Sequence, residues 1–173
     1  MIGRPSASAS AALAASSPSA PVSYFDFNSP YAYLAARRIE AVFSDVPAWR
    51  PIAFPFLLRA QGRIPWSLDS RRAEGVAECE RRVAERGLPP LRLPAGWPDK
   101  SYSMLPLHDP AEVATMAGVE PGLLDRGDVK GTLKGWPDEA MAAGVPGVPT
   151  VLVGNVPFWG DDHLEDAASA AAT

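Results

Sequence analysis

Ser29 stands directly before Pro30, just after the aromatic and β-branched run Val22-Ser23-Tyr24-Phe25-Asp26-Phe27. A hydroxyl followed by proline is a helix start: the oxygen accepts from free first-turn N–H groups, and the fixed φ of proline suits the first helical position. The same hydroxyl keeps a proton, so it can also donate to a thiolate carried by a ligand and lower that thiol's pKa. Disulfide exchange at this position is chemically excluded, because the chain has a single cysteine, Cys79, and no CxxC pair. Cys79 falls on the apolar stripe of a later helix and reads as a small core hydrophobe. His108 and His163 have no partners at catalytic spacing, and with one cysteine they make no metal site. The second element is Gly147-Val148-Pro149-Thr150. With a cis Val148–Pro149 bond, the N–H and C=O of Val148 would face outward, where a peptide-like ligand can pair as an added strand. The residues alone leave the plainer readings open: Ser29 as a helix cap and Pro149 as a proline at a strand start.

These residues need elements to position them. The run from Val22 has the length of a strand, and the helix opened by Ser29-Pro30 carries Tyr31, Leu34, Ala35, Ile39, Val42 and Phe43 on one face to about Ser44. A second strand is expected around Ala48 to Phe54, limited to an edge by Pro51. Asp69 is read as the cap of a helix running through Arg86 and ended by Gly87, with Val76, Cys79 and Val83 facing inward. Asp109-Pro110 opens a further short helix, and Pro137 starts another that ends at Gly144. Thr150–Val153 and Val156–Trp159 flank Gly154-Asn155, the turn chemistry of a tight hairpin, and an acid-capped helix follows from Asp161-Asp162. Strand, helix, strand, helical segment, hairpin, helix is the thioredoxin order, βαβ then ββα.

The composition fits one such domain. The 173 residues are 47% hydrophobic and 21% charged, enough for a core and too short for two full-sized domains. Sixteen basic residues against twenty acidic give a net charge of −4, which supplies no excess positive charge to track a phosphate backbone. No apolar run is long enough for a membrane span, so neither nucleic acid nor membrane is an expected partner. Residues 1–20 are almost entirely Ser, Ala and Pro, with one Arg and no acid, and read as a disordered tail. The ordered domain is expected over 21–173, with a largely helical insertion at 56–143. The expected location is the cytoplasm, or an organelle if the tail is a transit peptide.

Three motifs in order resemble one family. Tyr24-Phe25-Asp26-Phe27-Asn28-Ser29-Pro30-Tyr31-Ala32-Tyr33-Leu34-Ala35, Ala143-Gly144-Val145-Pro146-Gly147-Val148-Pro149-Thr150 and Phe158-Trp159-Gly160-Asp161-Asp162 are similar to motifs of 2-hydroxychromene-2-carboxylate isomerases and the related kappa-class glutathione transferases. Both belong to the DsbA-like thioredoxin superfamily. The resemblance implies an α/β thioredoxin-like fold with a helical insertion, here shorter than the family's by the lengths expected of its helices. It implies a glutathione site and, as oligomeric state, a homodimer. Ser29 would face the glutathione sulfur, Val148 before Pro149 would pair with the tripeptide backbone, and Asp161 and Asp162 would hold the γ-glutamyl end. Two carboxylates there are one more than the family usually shows. Arg63 and Lys100 stand where the family often has asparagine, and either could bind a carboxylate of glutathione or of the substrate. Tyr31, Trp159 and Lys100 are expected at the substrate pocket, while Trp66, Trp97 and Trp136 read as core aromatics.

The activity implied is isomerisation of an aromatic or unsaturated carboxylate by reversible addition of glutathione, as in aromatic catabolism. The alternatives are a kappa-like transferase that conjugates glutathione to an electrophile, and a noncatalytic DsbA-like module that binds a thiol or peptide.

Overall fold

A computed structural model describes residues 20–93, 97–98 and 136–173. The tail and the helix expected at Asp109 lie outside the described residues, as do Lys100 and His108. The elements are β1 (Val22–Phe25), α1 (Pro30–Ala36), α2 (Ile39–Val42), β2 (Ala48–Pro51), α3 (Phe54–Ala60), a 3₁₀ turn at Trp66–Leu68 and α4 (Arg72–Glu85). After these come helical residues 136–142 (α5), β3 (Thr150–Val153), β4 (Val156–Trp159), a 3₁₀ turn at Asp161–His163 and α6 (Leu164–Ala171). No described helix is long and apolar enough to cross a membrane.

The four strands run in the order β2-β1-β3-β4. β1 pairs parallel to β2, Phe25 opposite Pro51, and antiparallel to β3, Tyr24 opposite Thr150. β3 and β4 form the expected hairpin, Val153 opposite Val156, with Gly154 at φ 58°, a conformation that glycine adopts without a Cβ clash. A proline sits in each edge strand, Pro51 and Pro157, where its missing N–H breaks no central ladder and discourages pairing with further strands.

Each face of the sheet buries its own core. Tyr24, Ile52, Leu57, Ala140, Val145 and Val148 pack together on the side of α3 and α5. Ala35, Ile39, Phe43, Val151, Leu164 and Ala167 pack on the side of α1, α2 and α6. α1 also meets α4 through Tyr33, Leu34 and Val83, so five of its seven residues are buried. Enclosed between sheet and helix, α1 is held by packing; each fully buried Leu or Ile is worth about 1.5–3 kcal/mol relative to exposure.

Four local expectations are corrected. The first strand ends at Phe25, because Asp26 turns its carboxylate to amides beyond the strand. The first helix breaks at Arg37-Arg38, where Arg38 Nη1 donates to the Asp161 carbonyl at 2.7 Å and Nη2 pairs with Glu165, so a tertiary contact takes over from the helical register. Asp69 does not cap α4: its Oδ1 accepts the Arg71 N–H at 2.8 Å in a turn, and the helix starts at Arg72. Phe54 does not extend β2 but opens α3, with Pro55 in its first turn.

Candidate active site

The pairing register gathers the motifs at one end of the sheet. β1 and β2 both end there, β3 begins there opposite the end of β1, and β4 ends there opposite Thr150. The segments leaving these strand ends carry Asp26 to Pro30, Ile52 to Phe54, Val148-Pro149 and Trp159 to Asp162. Residues more than a hundred positions apart thus meet through hydrogen-bonded strands.

Ser29 is the N-cap of α1, extended at φ −102°, ψ 114°, and 7% exposed. The Ala32 N–H donates to Ser29 Oγ at 3.3 Å. That bond uses one lone pair of the hydroxyl and leaves its proton free to donate, so capping and ligand contact do not compete. One residue earlier, Asn28 Oδ1 is buried with no hydrogen-bond partner among the described residues. A buried orphan acceptor is costly, and a donor brought by a ligand would satisfy it.

Across the sheet end, the Val148–Pro149 bond is cis, the alternative that the residues left open. Thr150 Oγ1 donates to the Gly147 carbonyl at 2.7 Å, and the Gly160 N–H donates to the Pro149 carbonyl at 2.9 Å, which ties this loop to the start of the Asp161–His163 turn. The main chain of Val148 forms no hydrogen bond with any described residue. Its N–H and C=O thus suit an added strand, and together with the Ser29 hydroxyl and the Asn28 acceptor they fit a thiol-bearing peptide.

Arg63 packs its guanidinium 5.5 Å over the Trp159 ring, and its Nη1 donates to the Pro146 carbonyl at 2.6 Å and to Gln61 Oε1 at 3.0 Å. The side chain is therefore stacked and tethered beside the cis loop, with donors to spare for an anion. Trp159 is 46% exposed and lies against Gly147, where an added Cβ would meet the indole at 2.8 Å.

Asp161 differs most from its motif reading. It is fully buried, with Oδ1 held by Arg82 Nη1 at 2.7 Å and Oδ2 paired with Arg86. Both oxygens are committed to guanidinium groups, of Arg82 in α4 and of Arg86 at its C-cap, so the residue that the resemblance assigns to the γ-glutamyl end is here a buried anchor. It does not cap a helix either: α6 starts at Leu164 without a side-chain cap. Asp162 is the exposed member of the pair, 56% at its side chain, with Arg82 Nη1 at 3.7 Å.

A row of aromatic rings borders the Ser29 turn. Tyr31 meets Trp66 edge to face at 6.0 Å, Trp66 meets Trp97 at 5.6 Å, and Trp97 Nε1 donates to the Asn28 carbonyl at 3.0 Å. Trp97 is buried, as a core aromatic should be, and Trp66 is half-buried; both stand with Tyr31 beside the Asn28–Pro30 turn. The Arg82 guanidinium lies 5.5 Å over the Tyr31 ring. Burial, with Cys79 beside it, pushes the Tyr31 hydroxyl up to about 12. Burial likewise pushes the Cys79 thiol up to about 11, which keeps it protonated and inert at neutral pH. His163 is exposed and bonded to Asp166 at 3.0 Å, away from any nucleophile pairing.

The row is held by Gly75 of α4, where an added Cβ would lie 2.4 Å from Cε3 of Trp66. Alanine favours a helix over glycine, yet Gly75→Ala is expected to destabilise by roughly 1–3 kcal/mol, because the indole must leave its place. Urea unfolding followed by tryptophan fluorescence checks this; an unchanged midpoint and emission maximum would contradict it.

Asp26 was not singled out from the sequence, although an Asp whose carboxylate accepts the N–H two residues on is a known local turn signal. Its Oδ1 accepts the Asn28 N–H and its Oδ2 the Phe54 N–H, both at 2.7 Å. Burial raises this carboxyl to about 6 against the opposing pull of the two amide bonds.

No family model matches this sequence, and no curated protein does. The chain is similar in structure to a solved 2-hydroxychromene-2-carboxylate isomerase (HCCA isomerase) at a TM-score of 0.63 and 22% identity, over 88% of this chain and 94% of that one. That likeness shows the fold: the chain has the mixed α/β, thioredoxin-like architecture that the order of its elements foretold.

Proposed function

We propose that the protein is a glutathione-dependent isomerase of the 2-hydroxychromene-2-carboxylate type, acting on an aromatic or unsaturated carboxylate. The observation that carries this reading is the Ser29 hydroxyl, capping with a lone pair and keeping its proton, at the same sheet end as the main chain of Val148, which no described residue pairs. The fold shared with the isomerase supports it.

Glutathione would supply the nucleophilic thiol that adds to the substrate and leaves again. Ser29 would donate to its sulfur and favour the thiolate. Val148, before Pro149, would pair with the tripeptide main chain, and Arg63 would take the glycine carboxylate with its untethered donors. Asp162 would take the α-ammonium at the γ-glutamyl end; Asp161 would act through Arg82, which it holds in place. Tyr31 and Trp159 would offer ring faces to the substrate, with Lys100 as a further cation for its carboxylate.

Calorimetry with reduced glutathione at millimolar concentration tests the core of the proposal. Binding is expected, and its absence would leave the noncatalytic module as the reading. Incubation with a hydroxychromene carboxylate and glutathione is then expected to yield an isomer with glutathione recovered intact. A stable conjugate would instead identify a kappa-like transferase.

A further inference from the structure

We infer that Asp26 is a positioning residue for Ser29: its carboxylate ties the turn that carries Ser29 to the first turn of α3, and holds that turn in place only while ionised. Oδ1 accepts from Asn28, Oδ2 accepts from Phe54, and the Asp26 carbonyl accepts the Ser29 N–H at 3.0 Å. One residue thereby bridges the end of β1, the Asn28–Ser29 turn and a helix 28 positions further on.

An ionised carboxylate presents lone pairs on both oxygens to these two donors. Protonation places a hydrogen on one oxygen, against an N–H that needs an acceptor, so one of the two ties is weakened. The Ser29 turn is then fastened on one side instead of two, and the Ala32–Ser29 cap with it. Two opposing forces set where this happens: burial disfavours the charge, and the two amide bonds favour it.

Among the described residues, no charged side chain on the surrounding elements contributes to the balance. Arg50 of β2 is turned to Glu139 at 3.7 Å and to the Trp136 ring. Arg59, at the far end of α3, is exposed, and α1 carries no charged residue from Pro30 to Ala36. Its only titratable side chains are Tyr31, which faces Cys79 and Arg82, and Tyr33, which donates to the Pro89 carbonyl at 3.3 Å.

Amide NMR of the ligand-free full chain across roughly pH 4–8 tests the inference. The Asn28, Ser29 and Phe54 resonances are expected to move through one shared midpoint near 6. Protection of the Ala32 N–H from exchange, corrected for intrinsic rate, is expected to fall several-fold below it. In Asp26→Asn the midpoint should vanish at all these sites. Separate midpoints, a midpoint at the ordinary aspartate value, or one that survives in Asp26→Asn would overturn the inference. The wild-type titration decides alone if the variant does not fold.

A second readout rests on the glutathione reading: thiolate absorbance of bound glutathione should show the same inflection, lost in Asp26→Asn. Thiolate that is present yet shows no inflection near 6 would overturn the positioning role. Absence of thiolate at every pH, with the amide midpoint intact, would sink the glutathione reading and uphold the brace.

Discussion

Asp161→Ala lowers stability by roughly 2–4 kcal/mol, seen as an earlier urea midpoint with little change in slope. Removing the carboxylate takes from Arg86 the partner of its Nη1 and leaves Arg82 with Glu78 at 2.7 Å and the more distant Asp162, around a buried void. Because each guanidinium side chain keeps about a fifth of its surface in water, 21% and 22%, the loss falls below that of a wholly enclosed pair. Asp161→Asn should cost less, since the amide preserves volume and one acceptor oxygen. The two variants separate charge from space: both remove the charge and only asparagine keeps the volume, so equal losses would mean that ion pairing, not packing, sets the effect. A loss under about 0.5 kcal/mol in Asp161→Ala would contradict the anchor altogether, since that is the range of unremarkable surface changes. The consequence reaches the site, because Arg82 also lies over the Tyr31 ring and near Asp162.

If glutathione binds as proposed, Ser29→Ala is expected to raise the pKa of its thiol by roughly 1–2 units and so lower thiolate absorbance and turnover about ten- to a hundredfold near neutral pH. The estimate follows from a hydrogen bond to a charged group, worth about 1.5–3 kcal/mol, with 1.36 kcal/mol per pKa unit. The same substitution deletes the cap that accepts from Ala32, at about 1 kcal/mol of stability. Ser29→Asp disentangles the two roles: a carboxylate still caps, yet it repels a thiolate. It should keep near-native stability and lose thiolate absorbance. Unchanged absorbance in Ser29→Ala would reduce Ser29 to a cap. α1 has only seven residues, so the hydroxyl itself, more than any helix dipole, carries the expected effect.

The pH dependence of stability has its own sign. Asp26 has a folded-state pKa of about 6, above its ordinary value of 3.8. The native state therefore holds this proton more tightly than the unfolded chain does. The stability it contributes is full below about pH 4 and is lost as pH rises through 6. Ionisation braces the Ser29 turn while weakening the global fold, a conflict between site and stability that fits a functional position.

Local chemistry in the sequence was enough for the elements whose determinants are neighbours. Ser29-Pro30 starts α1, Gly154-Asn155 closes the β3–β4 hairpin in the expected register, and Gly87 at φ 62° follows the end of α4. Each depends on conformational limits of one or two residues, which are readable wherever those residues stand. The cis Val148–Pro149 bond was left open by the sequence, because a proline at a strand start reads the same in either isomer. The tertiary structure alone decided the rest. Asp161 meets Arg82 and Arg86 across 79 and 75 positions, and Arg38 reaches Asp161 across 123, breaking an otherwise regular helix. Asp26 finds Phe54, and Gly75 makes room for Trp66, only after the sheet and α4 have packed. An acid, an arginine or a glycine has many acceptable local roles. Which one it takes is set by the partner that folding brings to it, and burial then makes that pairing strong enough to override the local preference.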